Sequence, residues 1–187
     1  FYSDRQWIEE NLSERVELPG LTIHMFSSIN DEQKQTLAAE HQYHLANLKK
    51  KLNIQTSKRI HSYVYVNRQQ KEKLMGGAAT MIAKPWLHEI HIHQTASPHP
   101  ILAHELVHAL ASDFGSTLLG VSAHFEIFVN MGIVEGLAEA LSTVRGPLDL
   151  HQAAKALIES GKAPKLEQIL DSPFFWTQSA RRAYSLC

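Results

Sequence analysis

Residues 99–110 read HPILAHELVHAL. Ile101, Leu102, Leu106, Val107, Ala109 and Leu110 make this stretch apolar nearly all round, so it predicts a buried helix. Pro98 and Pro100 mark its start. The exceptions are His104, Glu105 and His108. Helix positions four apart differ by only about 40° around the axis and about 6 Å along it. Both imidazoles therefore leave one face and can converge on a single ion. Zinc suits nitrogen ligands in tetrahedral geometry. Glu105 points about 100° away from His104, which makes it a poor ligand but places it to act on a water at the metal as general base. The competing reading is a pair of core histidines bonded to backbone or carboxylate.

Read outward from the motif, the chain has an uneven charge distribution. Between Lys84 and Arg145 there is no Lys or Arg, while the same segment holds six acids and seven histidines. Some of those acids stand in strongly apolar context. A buried carboxylate needs a positive partner or a proton. No side chain of the segment supplies that charge, and a divalent cation would.

The bulk composition narrows the class. The 187 residues suffice for one domain, with 44% hydrophobic and 20% charged residues. A formal net charge of -1 argues against nucleic acid or an anionic membrane as a partner held by bulk charge. The one cysteine, Cys187, rules out a disulfide framework and a Cys-rich zinc site. The opening FYSDRQWIEENLSER is polar, reads as no signal peptide and lacks an initiator Met, so a piece of a longer protein is expected. No run of 18 apolar residues is present, so no membrane span is expected in this piece.

The first part alternates helix and strand. The pattern predicts a helix over 3–15 closed by Pro19-Gly20, a strand at 21–27, an amphipathic helix over 31–52 and a strand at 60–67. ATMIA and LHEIHIH (87–93) read as a hairpin around Lys84-Pro85. Helices follow at about 100–113, 122–144, 148–160 and 177–186. Strands and helices first, then helices alone, predict an α+β fold: a small mixed sheet with an edge strand beside the buried helix, followed by a helical lobe. A single domain over 1–187 is expected, its sheet-bearing part about 1–114 and its helical part about 115–187.

A catalytic zinc takes three protein ligands and keeps one position open. VNMGIVEGLAEALS (129–142) offers Glu135 and Glu139, four apart on one helical face. Glu135 can complete the ligand set, and Glu139 can orient a ligand histidine through its distal nitrogen. Gly136 would let this helix approach its neighbour closely. The alternative is two solvated carboxylates. His91 and His93 share a strand face opposite Ile90 and Ile92. They could belong to a second metal site or line a cleft, but no carboxylate is placed to match them, and the simpler reading puts the isoleucines in the core. His24, His41, His44 and His61 lie in ordinary strand or helix patterns and read as structural or exposed.

HELVH followed by EGLAE, with Glu135 27 residues after His108, resembles the gluzincin zinc metallopeptidases, in particular bacterial peptidase-MA-like domains. The resemblance is carried by residues 88–142, with ARRAYSLC near the end as a weaker match. It implies a minimal thermolysin-like core with one Zn2+ held by His104, His108 and Glu135. It also implies that the strand at 88–93, with His91 and His93, binds an extended peptide at the cleft edge, and that Tyr184 steadies the oxyanion. Many gluzincins have Asp where Glu139 stands. Relatives often belong to membrane-anchored proteins, which implies the extracytoplasmic side of a bacterial membrane, with the cytoplasm still open. The expected function is zinc-dependent hydrolysis of peptide bonds in peptide or protein substrates, with Glu105 activating water. Two alternatives stand beside it: an inactive metal-binding module that binds extended peptides within a larger protein, and a plain α+β domain with a coincidental motif.

Overall fold

The computed structural model describes residues 4–55, 58–76, 80–115, 119–124, 128–142 and 150–170. The elements run α1 (Asp4–Asn11), β1 (Glu14–Leu18), β2 (Leu21–Met25), α2 (Asp31–Leu52), β3 (Ile60–Tyr65), α3 (Arg68–Met75), β4 (Ile82–Lys84), β5 (Glu89–His93) and α4 (Leu102–Ala111). A short hairpin of β6 (Ala123–His124) and β7 (Phe128–Val129) follows, then α5 (Met131–Leu141), α6 (Leu150–Glu159) and α7 (Leu166–Leu170). No helix among the described residues is long and apolar enough to cross a membrane.

Five strands form one mixed sheet in the order β1-β2-β3-β5-β4. β2, β3 and β5 are parallel in the middle, and β1 and β4 are antiparallel at the two edges. The fold is α+β. The strand at 88–93 was expected to form the edge, but β5 lies between β3 and β4, so the edge near the motif belongs to β4. The reason is the hairpin itself. The turn at Pro85–Leu87 folds β4 back onto the outer side of β5, pairing Lys84 with Glu89 and Ile82 with His91.

Alternation along the strands builds two different faces. Leu21, Ile23, Met25, Ile60, Val64, Ile90 and Ile92 point to one side and form the main core with apolar residues of α2 and α4. Fully burying one such side chain is worth roughly 1.5–3 kcal/mol, so this layer holds α2 and α4 to the sheet. The other face carries Thr22, His24, His61, Tyr63, Tyr65, Glu89 and His91. There Tyr63 and Tyr65 pack with Ile8 of α1, Leu12 and Leu74 of α3.

Local signals account for most element ends. Asn30 caps α2 by accepting from the Gln33 amide, while the Gln33 side chain accepts from the Asn30 amide. Lys49, Lys50 and Lys51 sit in the last turn of α2, where they complement its dipole. Gly20 takes the left-handed φ of 77° that the tight β1–β2 turn requires.

Three expectations are corrected. The segment 3–15 is not one helix: α1 ends at Asn11 and Glu14–Leu18 forms β1, whose Val16 and Leu18 pack on the core while Arg15 and Glu17 are exposed. Residues 122–144 are likewise not one helix, since β6 and β7 precede α5. Phe125–Val129 is aromatic and β-branched, a composition that favours strand. The expected helical part thus contains a hairpin, and α3 was not anticipated at all. The helix expected at 177–186 lies outside the described residues.

His41 joins α2 to the sheet from a fully buried position. Its Nδ1–H donates to the Leu37 carbonyl at 2.7 Å, and Nε2 accepts from the Ser62 hydroxyl at 2.8 Å. Burial pushes its pKa down to about 4. In the unfolded chain it titrates near 6.5, so below that pH the unfolded state takes up a proton that the folded state refuses. The stability present above pH 6.5 is therefore lost as pH falls towards about 4. At roughly 1.4 kcal/mol per unit the full loss is about 3 kcal/mol. Urea unfolding at pH 7.5 and pH ~4 should show a smaller acid loss in His41→Leu than in the wild type. Equal losses would show that His41 is not the group responsible.

Candidate metal centre

α4 is buried along almost its whole length, from Leu102 to Leu110. It packs between the sheet, α2 and α5. Its start is fixed by a side chain whose part in placing the motif the sequence reading missed. His99 is buried; its Nε2–H donates to the His93 carbonyl at 3.1 Å, and its Nδ1 accepts from the amides of Ile101 at 3.3 Å and Leu102 at 3.1 Å. The Glu40 carboxylate of α2 accepts the His99 amide at 3.1 Å. One imidazole thus ties the end of β5 to the first turn of α4. No periodicity marks this residue, because its partners are backbone groups brought together by the loop.

From this helix His104 and His108 project together, with Nε2 atoms 3.1 Å apart and rings edge to face. Glu135 of α5 brings Oε2 to 3.3 Å from His104 Nε2 and 3.6 Å from His108 Nε2. All three are at least nine-tenths buried. Two ligands each about 2.0–2.1 Å from a tetrahedral ion stand about 3.3 Å apart. The donor set and its spacing therefore fit one ion such as zinc. Calcium or magnesium would call for oxygen donors throughout. One turn further along α5, Glu139 Oε1 lies 3.2 Å from His104 Nδ1, on the far side of that ring, although off the line of a straight N–H bond.

Opposing effects set the charges here. Burial disfavours a charged His104, but the carboxylates of Glu135, Glu139 and Glu105 outweigh it and push its pKa up to about 9. Burial likewise raises Glu135, and the two histidines outweigh it and hold the carboxyl well below its ordinary value. The carboxylates thus create a demand for positive charge at one point.

Glu105 is 5% exposed, on the same turn as His104. A cation from outside the Lys84–Arg145 gap also acts on it. Lys71 of α3 is fully buried; that burial lowers its pKa, and the Glu105 charge draws it back up. In the sequence Lys71 sits in RQQKEKL, which reads as a solvated surface, so no signal there could have found it.

His91 and His93 are not part of this arrangement. Ile90 and Ile92 point to the α4 side, so His91 and His93 point to the opposite face. His91 is 1% exposed, 3.0 Å from the Tyr65 hydroxyl and 3.4 Å from Glu89. Neither ring therefore faces the side of the sheet on which α4 lies. Tyr184 lies outside the described residues.

No protein-family model matches the chain, and no curated protein matches it.

The His99 clamp has a measurable consequence. His99→Ala removes the acceptor at the start of α4 and should cost about 1–2 kcal/mol, in the range for losing a helix cap. His99→Asn keeps a side-chain acceptor and should recover part of it. Denaturant unfolding of the two variants checks this, and equal losses would show that capping is not what His99 contributes.

Proposed function

We propose that this chain is a zinc-dependent peptidase of the gluzincin kind, with a thermolysin-like core. The observation that carries the reading is the convergence of His104, His108 and Glu135 from two helices, with Glu105 beside them on the same buried turn. A coincidental motif gives no reason for a third ligand and a ring-orienting carboxylate to arrive from α5.

His104, His108 and Glu135 would hold the ion, and Glu139 would keep His104 oriented through its far nitrogen. An ion such as zinc held there would supply Lewis acidity and a water of lowered pKa. Glu105 accepts the proton of the attacking water and delivers it to the leaving nitrogen. Lys71 moderates the charge on that base. The substrate backbone would add to the sheet along β4, the edge strand that packs against α4. This takes the place of the β5 edge expected from sequence. Tyr184 remains the proposed oxyanion donor, on resemblance alone.

Elemental analysis of the purified protein, paired with hydrolysis of a quenched fluorescent peptide library, tests the reading. Glu105→Gln should retain the metal and lose about 10²–10⁴-fold in turnover. His104→Ala and Glu135→Ala should lose the metal. Glu139→Ala should weaken its affinity by about 10–100-fold. A fully active Glu105→Gln protein refutes the mechanism. Metal bound at His104 and Glu135 with no cleavage of any peptide favours the peptide-binding module instead.

A further inference from the structure

The sheet face opposite α4 carries a second group of ligand-type side chains. Glu9 of α1, His24 of β2 and His61 of β3 each bring one ligand atom within 4.8 Å of the other two. His24 Nε2 faces His61 Nδ1 at 3.0 Å, almost the spacing found between His104 and His108. We propose that Glu9, His24 and His61 form a second, structural binding site for a divalent zinc-class ion, joining α1 to the two parallel strands beneath it.

His24 is buried, and its Nε2 shares one proton with His61 Nδ1, which an entering ion would displace. Two imidazoles and one carboxylate are a donor set for zinc, copper or nickel rather than calcium or magnesium. The chain also places the ligands well for a structural role. His24 stacks on Tyr63 at 4.6 Å, and Tyr63 stacks on His91 at 4.9 Å, a row of rings across three strands. This row fixes His24 in orientation, and the Tyr63 hydroxyl donates to Glu9 at 3.0 Å.

Two cations compete for the carboxylate. Arg5 Nε reaches Glu9 at 3.1 Å and Arg15 reaches it at 3.3 Å. Both guanidinium side chains are substantially exposed, at 40% and 53%, and Arg5 keeps Glu89 at 3.4 Å as another partner. Either can turn away from Glu9 at small cost, since exposed ion pairs contribute only about 0–1 kcal/mol. Ion binding would therefore exchange a surface pair for coordination, and removing Arg15 should strengthen it.

The test is zinc stoichiometry after metal stripping, titration with Zn2+ and gel filtration, read by elemental analysis with folding checked by circular dichroism. Wild type should hold two equivalents. His61→Ala should lose one, and Glu135→Ala should lose the other. Glu9→Gln, which keeps the hydrogen bond from Tyr63, should weaken the His61-dependent equivalent. Arg15→Ala should tighten it about two- to fivefold. The same zinc content in His61→Ala and wild type overturns the proposal, as does a wild type that binds no zinc. One equivalent that survives Glu135→Ala but vanishes in His61→Ala supports this site while removing the metal centre on α4.

Discussion

The structure depends on the burial of α4. This helix is enclosed by the apolar sheet face, α2 and α5, yet it carries two imidazoles and a carboxylate. Unpaired polar groups at such depth cost several kcal/mol each. The neighbouring helix answers with Glu135 and Glu139, and α3 contributes Lys71. Packing alone would be better served by leucine at these positions. Six ionisable groups gathered around one buried turn are the physical reason for proposing a bound ion there.

The sheet gives its two faces opposite characters through one periodicity. Residues of one parity are aliphatic and hold α2 and α4. Those of the other parity are histidine, tyrosine, glutamate and threonine, and they carry a stacked row of rings under α1 and α3. β5 shows both at once: Ile90 and Ile92 support α4, while Glu89 Oε2 and His91 Nε2 lie 3.4 Å apart on the far side. The strand that leads into the motif therefore contributes to the α4 side through its isoleucines, and β4 pairs along its outer edge.

Several elements were legible because their causes are local. α2 follows from an apolar stripe and the reciprocal cap of Asn30 with Gln33. The β4–β5 hairpin follows from two β-prone runs about Lys84-Pro85. The same kind of cap stood before α3, where Asn67 accepts from the Gln70 amide and the Gln70 side chain accepts from the Val66 amide. RQQKEKL carries little apolar stripe, so this cap has no helical periodicity beside it in the sequence. β1 is hidden for the opposite reason: its alternation begins only three residues after α1 ends, so a single helical pattern spans both.

By itself the sequence determined that two imidazoles leave one face of a buried helix, that two carboxylates share a face of a later one, and that isoleucines and histidines of β5 part company. Each is a matter of helical or strand period, which acts over a few residues. Tertiary structure decided which carboxylate meets which ring, that β4 rather than β5 is the edge, and that Lys71 feels Glu105. It also drew Glu9, His24 and His61 together from three elements. These outcomes depend on strand order and on the packing of helices distant in the chain, and no local periodicity encodes either.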